Sequence, residues 1–339
     1  MNKKSSKKTI RKNEDEGVIK IVSTLRFVKV TADEGVYELM PGVNVVVGEK
    51  LKKEWLGEEL KKYAGLIEYS HFQSASHLLV GRMPINWFGD LAPDTILYTW
   101  LNFVDWLIKD SWVLKDNSIA CEIAYSKFVK DGREIWSNNG LYSVVSHATG
   151  GGPVEVTFDA GELQKWNFQS AKIREMVFSK EGIMGMQVSD KGYTKFARFY
   201  HFVDTSRRTR YPAVKIAHCC SALESLFSTD TTELSHKLAE RIAFLLAGYG
   251  ENAEDVYKFI RDCYSVRSAV THGSAVSGRL SNSLESLSIR MLDVLRKIVL
   301  ILMEDAELFE KMNGKNEGVE QYFRELIFSN AKRVETDPF

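Results

Sequence analysis

No run of apolar residues in this chain is long enough to cross a bilayer. The nearest approach, residues 96–108, is apolar nearly all round, yet it spans only 13 residues and contains Asn102 and Asp105. A spanning helix needs about 20, so the stretch reads as a buried core helix. Net charge is also lacking: 45 Lys and Arg balance 45 Asp and Glu. No global field therefore draws the chain onto nucleic acid or an anionic membrane, and any such binding needs a local patch. Cysteine is scarce. Cys121, Cys219, Cys220 and Cys263 show no paired C-x-x-C spacing, and the basic stretch Asn2-Lys3-Lys4-Ser5-Ser6-Lys7-Lys8 lacks the apolar segment of a secretory leader. Reduced thiols in a cytoplasmic protein are the simplest expectation.

Motifs for several chemistries are missing as well. No cluster of His, Cys, Asp or Glu has metal-ligand spacing; His218-Cys219-Cys220 comes nearest, but adjacent positions on a helix point apart. Gly150-Gly151-Gly152-Pro153 lacks the Lys-Ser/Thr of a phosphate-binding loop and reads as a flexible connection. No G-x-S-x-G elbow occurs. No metal and no cofactor are expected.

Tryptophan is absent from the second half, because all seven lie between Trp55 and Trp166. That shift places a domain boundary in the region 170–190. Residues 1–16 read as a disordered basic tail and residues 17–180 as an α+β domain with an antiparallel sheet. Within it, β-branched content and partial alternation mark strands at 17–30 and 36–47, with a turn at Met40-Pro41-Gly42. A helix follows over 50–63, then one over 94–109 capped by Asp94. Further strands fall within 118–129, 134–136, 141–146 and 154–158, with turns at Asp131-Gly132 and Asn139-Gly140. This half carries no catalytic constellation.

From about residue 190 the periodicity is helical. Tyr193, Phe196, Phe199, Tyr200 and Val203 share one face. Pro212 suits the first turn of a helix running to Phe227. Asp230 with Glu233 resembles a capping box for the next helix, which Gly248 ends. Asn252 with Asp255 opens a third helix, and Asn282 with Glu285 opens a long fourth. Four amphipathic helices with short links predict an all-α bundle over 190–303. Residues 304–339 form a tail with one short helix at 319–328.

The chemistry concentrates in Tyr264-Ser265-Val266-Arg267-Ser268-Ala269-Val270-Thr271-His272-Gly273. The apolar stripe of this helix runs Val256, Phe259, Ile260, Cys263, Val266 and Val270, and Arg267 falls on it. A guanidinium so placed demands an anionic partner: Glu224 or another bundle carboxylate, a partner subunit, or a phosphate. Gly273 is a natural left-handed terminator, so His272 belongs to the last turn. Imidazole is the side chain suited to proton transfer near neutral pH, and a capping or core histidine is the alternative. Arg267 and His272 are turned by about 140° on an ideal helix, which argues against a shared face. Residues 190–303 carry 6 Lys and 10 Arg against 6 Asp and 6 Glu, a net +4. Arg207, Arg208, Arg210 and Lys215 concentrate part of it, as RNA-binding candidates or as a solvated linker.

Residues 190–303 resemble a HEPN domain, specifically the Apea-like branch found in prokaryotic defence proteins. The resemblance rests on Ala222-Leu223-Glu224-Ser225-Leu226-Phe227 and on Leu234-Ser235-His236-Lys237-Leu238-Ala239-Glu240-Arg241. It rests most on Tyr264, Val266, Arg267-Ser268 and His272-Gly273, which match an Arg, four to six residues, His motif at a helix end. It implies a homodimeric, metal-independent endoribonuclease acting in antiviral defence, abortive infection or a toxin-like response. Two motif helices would meet across a two-fold axis to build a composite site. Arg267 and His272 would be catalytic, with Ser268, Tyr264 and Glu224 in support, and the N-terminal domain would sense a phage-derived or cellular trigger. A non-catalytic HEPN module for dimerisation or nucleotide or RNA binding is the other outcome.

Overall fold

A computed structural model describes residues 17–140, 145–179, 183, 186–230 and 232–335. The expected tail over 1–16 and most of the strand expected at 141–146 lie outside the described residues. The chain divides into two compact units. One comprises Met1–Val145 with Pro153–Ala171, the other Ser146–Gly152 with Lys172–Phe339.

The first unit is built on β1 (Val18–Leu25), the strand with β-branched alternation. It pairs antiparallel with β5 (His77–Pro84) on one side and β6 (Ile123–Lys130) on the other. With β3 (Gly35–Met40), β4 (Val43–Val47) and β7 (Arg133–Gly140) it forms a six-stranded antiparallel sheet of order β3-β4-β5-β1-β6-β7. Alternate residues of β1 point to opposite faces. Ile19, Ile21 and Leu25 join a core with Trp100, Leu101, Val104 and Leu107 of α3 (Pro93–Asp110). Val22 joins a second core with Leu56, Leu60 and Phe72, which lie on or beside α1 (Glu49–Trp55) and α2 (Glu58–Ser74). The sheet is thus covered on both faces. β2 (Val28–Thr31) pairs separately and in parallel with β8 (Val156–Asp159), which leads into α4 (Ala160–Val177).

Three local expectations change here. The single helix expected over 50–63 is two, because the chain breaks at Leu56-Gly57; Lys52 turns inward and its Nζ donates to the carbonyls of Gln73 (2.8 Å) and Ala75 (2.6 Å), closing the end of α2. Asp94 does not cap α3, since Ala92 holds the N-cap position and Pro93 opens the first turn. Asn139 and Gly140 make no turn but pair with Ala124 and Ile123. The turn at Asp131-Gly132 does form, with φ of 51° and 69°, the left-handed pair that a two-residue hairpin requires.

The second unit is helical: α5 (Lys195–Arg207), α6 (Pro212–Phe227), α7 (Leu234–Ala247), α8 (Ala253–His272), the short α9 (Gly278–Ser281), α10 (Leu284–Glu304), α11 (Ala306–Asn313) and α12 (Asn316–Glu335). α6 is central and packs against α5, α7, α8 and α10, burying Ile216, Cys219, Cys220, Leu223 and Phe227. Pro212 stands in its first turn and Asn252 caps α8 by accepting from Asp255 N. The capping box before α7 does not form. Glu233 adopts φ 49°, and the Asp230 carboxylate accepts instead from Thr232 N (2.8 Å) and Lys237 Nζ (2.7 Å). Ser283 rather than Asn282 precedes α10, and the short helix expected at 319–328 lies within the longer α12. Among the described residues no helix is long and apolar enough to cross a membrane.

Candidate functional site

α8 and α6 together place the motif side chains. α8 buries Val256, Phe259, Ile260, Cys263, Val266 and Ala269, so the stripe ends on Ala269 and Val270 is half-buried. Arg267 lies at the margin of this stripe with 26% of its side chain exposed. Its anionic partner is Glu224 on α6, whose Oε1 and Oε2 stand 3.3 Å and 3.4 Å from Arg267 Nη2. Tyr264, one turn earlier, donates its hydroxyl to the same carboxylate, and the Arg267 guanidinium lies 5.4 Å from the centre of its ring. Burial, then the hydrogen bond to Glu224, pushes the Tyr264 phenol well above its ordinary range. Tyr264 therefore stays a proton donor that fixes the carboxylate.

Glu224 engages only one edge of the guanidinium. Among the described residues no hydrogen bond involves Arg267 Nε or Nη1. These donors are fixed in direction and open to a further acceptor, the geometry in which arginine engages a carboxylate or phosphate.

His272 is the last residue of α8 and is exposed. Gly273 follows at φ 69°, its N–H bonded to Ala269 O, and Ser274 N bonds the same carbonyl at 2.9 Å. This left-handed ending holds the imidazole at the helix terminus. His272 shares its face with Ser268, Ser265 and Arg261, all exposed, within about 40° at helical spacing. Arg267 is about 140° away, so one copy of α8 does not bring the two together. Arg261 was not singled out from the sequence; the spacing 261, 265, 268, 272 is the signal that marks it as the cation on the histidine's face.

Two of the four basic candidates are corrected. Arg207 is 1% exposed and Lys215 0%, so neither meets an RNA backbone from solvent. The Lys215 ammonium and the backbone carbonyl of Arg207 hold Ser146 to the bundle. Ser146 N donates to Arg207 O (2.7 Å), Lys215 Nζ donates to Ser146 O (3.2 Å), and Ser288 Oγ of α10 donates to Ala148 O (2.8 Å). Arg208 and Arg210 are exposed, with Arg208 Nε 3.0 Å from Asp204 Oδ2.

The cysteines are buried and free. Burial raises the Cys121 and Cys219 thiols to about 12 and holds Cys220 and Cys263 well above their ordinary range, so none is a nucleophile near neutral pH. Among the described residues no group of three or more His, Cys, Asp or Glu is placed to hold a metal ion. No protein-family model, no curated protein and no solved structure matches the chain.

Proposed function

We propose that the helical unit is a HEPN-type, metal-independent endoribonuclease that acts as a homodimer in the cytoplasm, in antiviral defence, abortive infection or a toxin-like response. The observation that carries this reading is the arginine. Its guanidinium is anchored on one edge by Glu224 and Tyr264 and offers Nε and Nη1 outward, on the helix that ends in an exposed histidine.

RNA supplies its own nucleophile. The 2′-hydroxyl attacks the adjacent phosphorus, the bond to the 5′ oxygen breaks, and a 2′,3′-cyclic phosphate and a free 5′-hydroxyl result. His272 takes the proton from the attacking oxygen or returns one to the leaving oxygen. Arg267 stabilises the charge that builds on the phosphoryl oxygens. Because the two side chains are about 140° apart on one helix, the arginine of one protomer works with the histidine of its partner. Ser265 and Ser268 are small and exposed on the histidine's face, which lets a second α8 approach. Arg208, Arg210 and Arg261 are the surface cations that hold the RNA backbone. The N-terminal unit senses a phage-derived or cellular trigger.

A second reading is favoured by the ion pair itself: Glu224 neutralises Arg267 within its own bundle, as a purely structural arginine would require. The unit is then a non-catalytic HEPN module for dimerisation or for binding a nucleotide or RNA. Cleavage of RNA by the purified protein in EDTA separates the two. The enzyme reading expects Arg267→Ala and His272→Ala to lose cleavage by at least a hundredfold while remaining folded dimers. Loss of the dimer in both variants, or no cleavage by the unaltered protein, favours the structural module.

A further inference from the structure

The turn between α5 and α6 combines a fixed backbone with side chains that no part of the fold uses. It runs Arg207-Arg208-Thr209-Arg210-Tyr211-Pro212. The connection 146–152 lies against it: Ser146 N donates to Arg207 O (2.7 Å). Gly150, at φ 74°, comes so near that a Cβ there would stand 1.9 Å from Arg210 O and 3.3 Å from Pro212 Cδ. Tyr211 N donates to Thr209 Oγ1 (3.3 Å), and Tyr211 O accepts from Lys215 N (2.9 Å), which makes Tyr211 the N-cap of α6. Pro212 fixes the φ that follows.

Tyr211 is nonetheless 66% exposed, and Arg210 beside it is exposed too. Among the described residues neither side chain makes a hydrogen bond, an ion pair or a ring contact. Arg208 is the second surface cation of the turn, with Asp204 Oδ2 3.0 Å from its Nε. No acidic residue occurs over 205–223 or over 146–152, so neither the turn nor the connection supplies an anion for Arg210. A phenol ring offers a large flat face on only two side-chain torsions, so little freedom is lost when something stacks on it. The backbone beneath it is already fixed. An aromatic face and a guanidinium at adjacent positions match the two parts of a nucleotide, the base and the phosphate. Base faces are covered within a duplex, and only an unpaired strand presents them for stacking.

We propose that Tyr211 and Arg210 form a docking step for single-stranded RNA, in which an unpaired base stacks on the phenol ring and the adjoining phosphate meets the guanidinium. This rests on the reading of the helical unit as one that binds RNA, as enzyme or as module, and it narrows the ligand to unpaired strands.

The test is fluorescence anisotropy of the full chain in EDTA with a labelled 2′-O-methyl oligonucleotide, which has no free 2′-hydroxyl and survives as a single strand. Tyr211→Ala is expected to weaken binding about tenfold, and Tyr211→Phe, which keeps the ring, to bind within twofold of the unaltered protein. Arg210→Ala is expected to weaken binding and to flatten the dependence of log Kd on log salt by about 0.7. Affinity for the same sequence as a duplex is expected to ignore Tyr211→Ala, and thermal melting checks that each variant folds. Cleavage of the unmethylated strand is assayed alongside. Binding that depends on Tyr211 without any cleavage sinks the nuclease reading and leaves the docking step standing. Cleavage by a protein whose binding ignores Tyr211 sinks the docking step alone. Equal loss of strand and duplex in Tyr211→Ala, a loss in Tyr211→Phe as large as in Tyr211→Ala, or no binding of the strand by the unaltered protein also overturns the proposal.

Discussion

The two units treat their buried polar groups differently. In the sheet unit the fully buried ones are directed mostly to the backbone, while half-buried cations such as Lys127 and Arg26 meet carboxylates. Trp100 and Trp166 donate their indole N–H groups to Gly42 O (3.0 Å) and Leu107 O (2.7 Å). Lys52 closes the end of α2. His77 accepts from Val30 N (2.9 Å) at Nε2, with Nδ1 3.3 Å from Val46 O. In the helical unit, where each helix satisfies its own backbone, buried and half-buried cations meet carboxylates from neighbouring helices, as in Arg267–Glu224–Tyr264 and Arg241–Thr229–Glu320. Backbone-directed groups are consumed in building the fold. Side-chain networks between helices keep donors that a ligand can reach, and one of these defines the candidate site.

The contrast can be broken by mutation, starting where the effect is largest. Trp166→Ala removes a fully buried ring that packs edge-on against Phe158. Urea unfolding is expected to show a loss of about 4 kcal/mol, with cleavage by the folded fraction unchanged. Glu224→Gln probes the other class. It keeps the shape but removes the charge that fixes Arg267, so stability falls by about 1–2 kcal/mol while cleavage falls at least tenfold; equal cleavage would make the network structural only.

Acid offers a smaller and signed test. Burial lowers His77, and burial followed by the nearby His201 lowers His218. A histidine lowered in the folded state is neutral in both states above its ordinary range, near 6.5. Below that the unfolded chain binds the extra proton and stability is lost as pH falls. Each contributes at most about 1.4 kcal/mol per pH unit. His77→Gln is expected to flatten the fall in urea midpoint between roughly pH 6.5 and 5, and an unchanged slope would remove His77 as its source. Smallest are the helix starts. Asn252→Ala, which deletes a cap bond of 3.0 Å, costs about 1 kcal/mol, whereas Asp94→Ala, which removes no cap, costs only about 0.3 kcal/mol in the same unfolding experiment.

What the sequence disclosed follows the same division. Features decided within one turn of chain were legible: Pro212 at a helix start, Asn252 as a cap, Gly273 as a terminator, Asp131-Gly132 as a hairpin. The arrangement of an antiparallel sheet before a helical bundle was legible too, since the period changes from two to 3.6. Local signals failed where a distant partner overrode them. Asn139-Gly140 is a turn dipeptide, yet pairing with Ile123 and Ala124 keeps it in a strand. Arg207 and Lys215 look like solvated linker charges, yet both are buried and the Lys215 ammonium is bound to Ser146 O. At the site, the demand of Arg267 for an anion was readable from its place on the stripe, and Glu224 stood among the candidates. The anchoring of a single edge is not visible without the fold, because it joins helices far apart in sequence.

The central claim is that Arg267 of one protomer serves His272 of the other, and mixing the two inactive variants tests it most directly. Arg267→Ala and His272→Ala protomers, each expected to be inactive alone, are unfolded together, refolded as mixed dimers and assayed on RNA in EDTA. The mixed dimer contains one intact pair across the interface, so the account predicts that cleavage returns to a sizeable fraction of the unaltered level. A mixture that forms dimers and stays as inactive as its parents contradicts it.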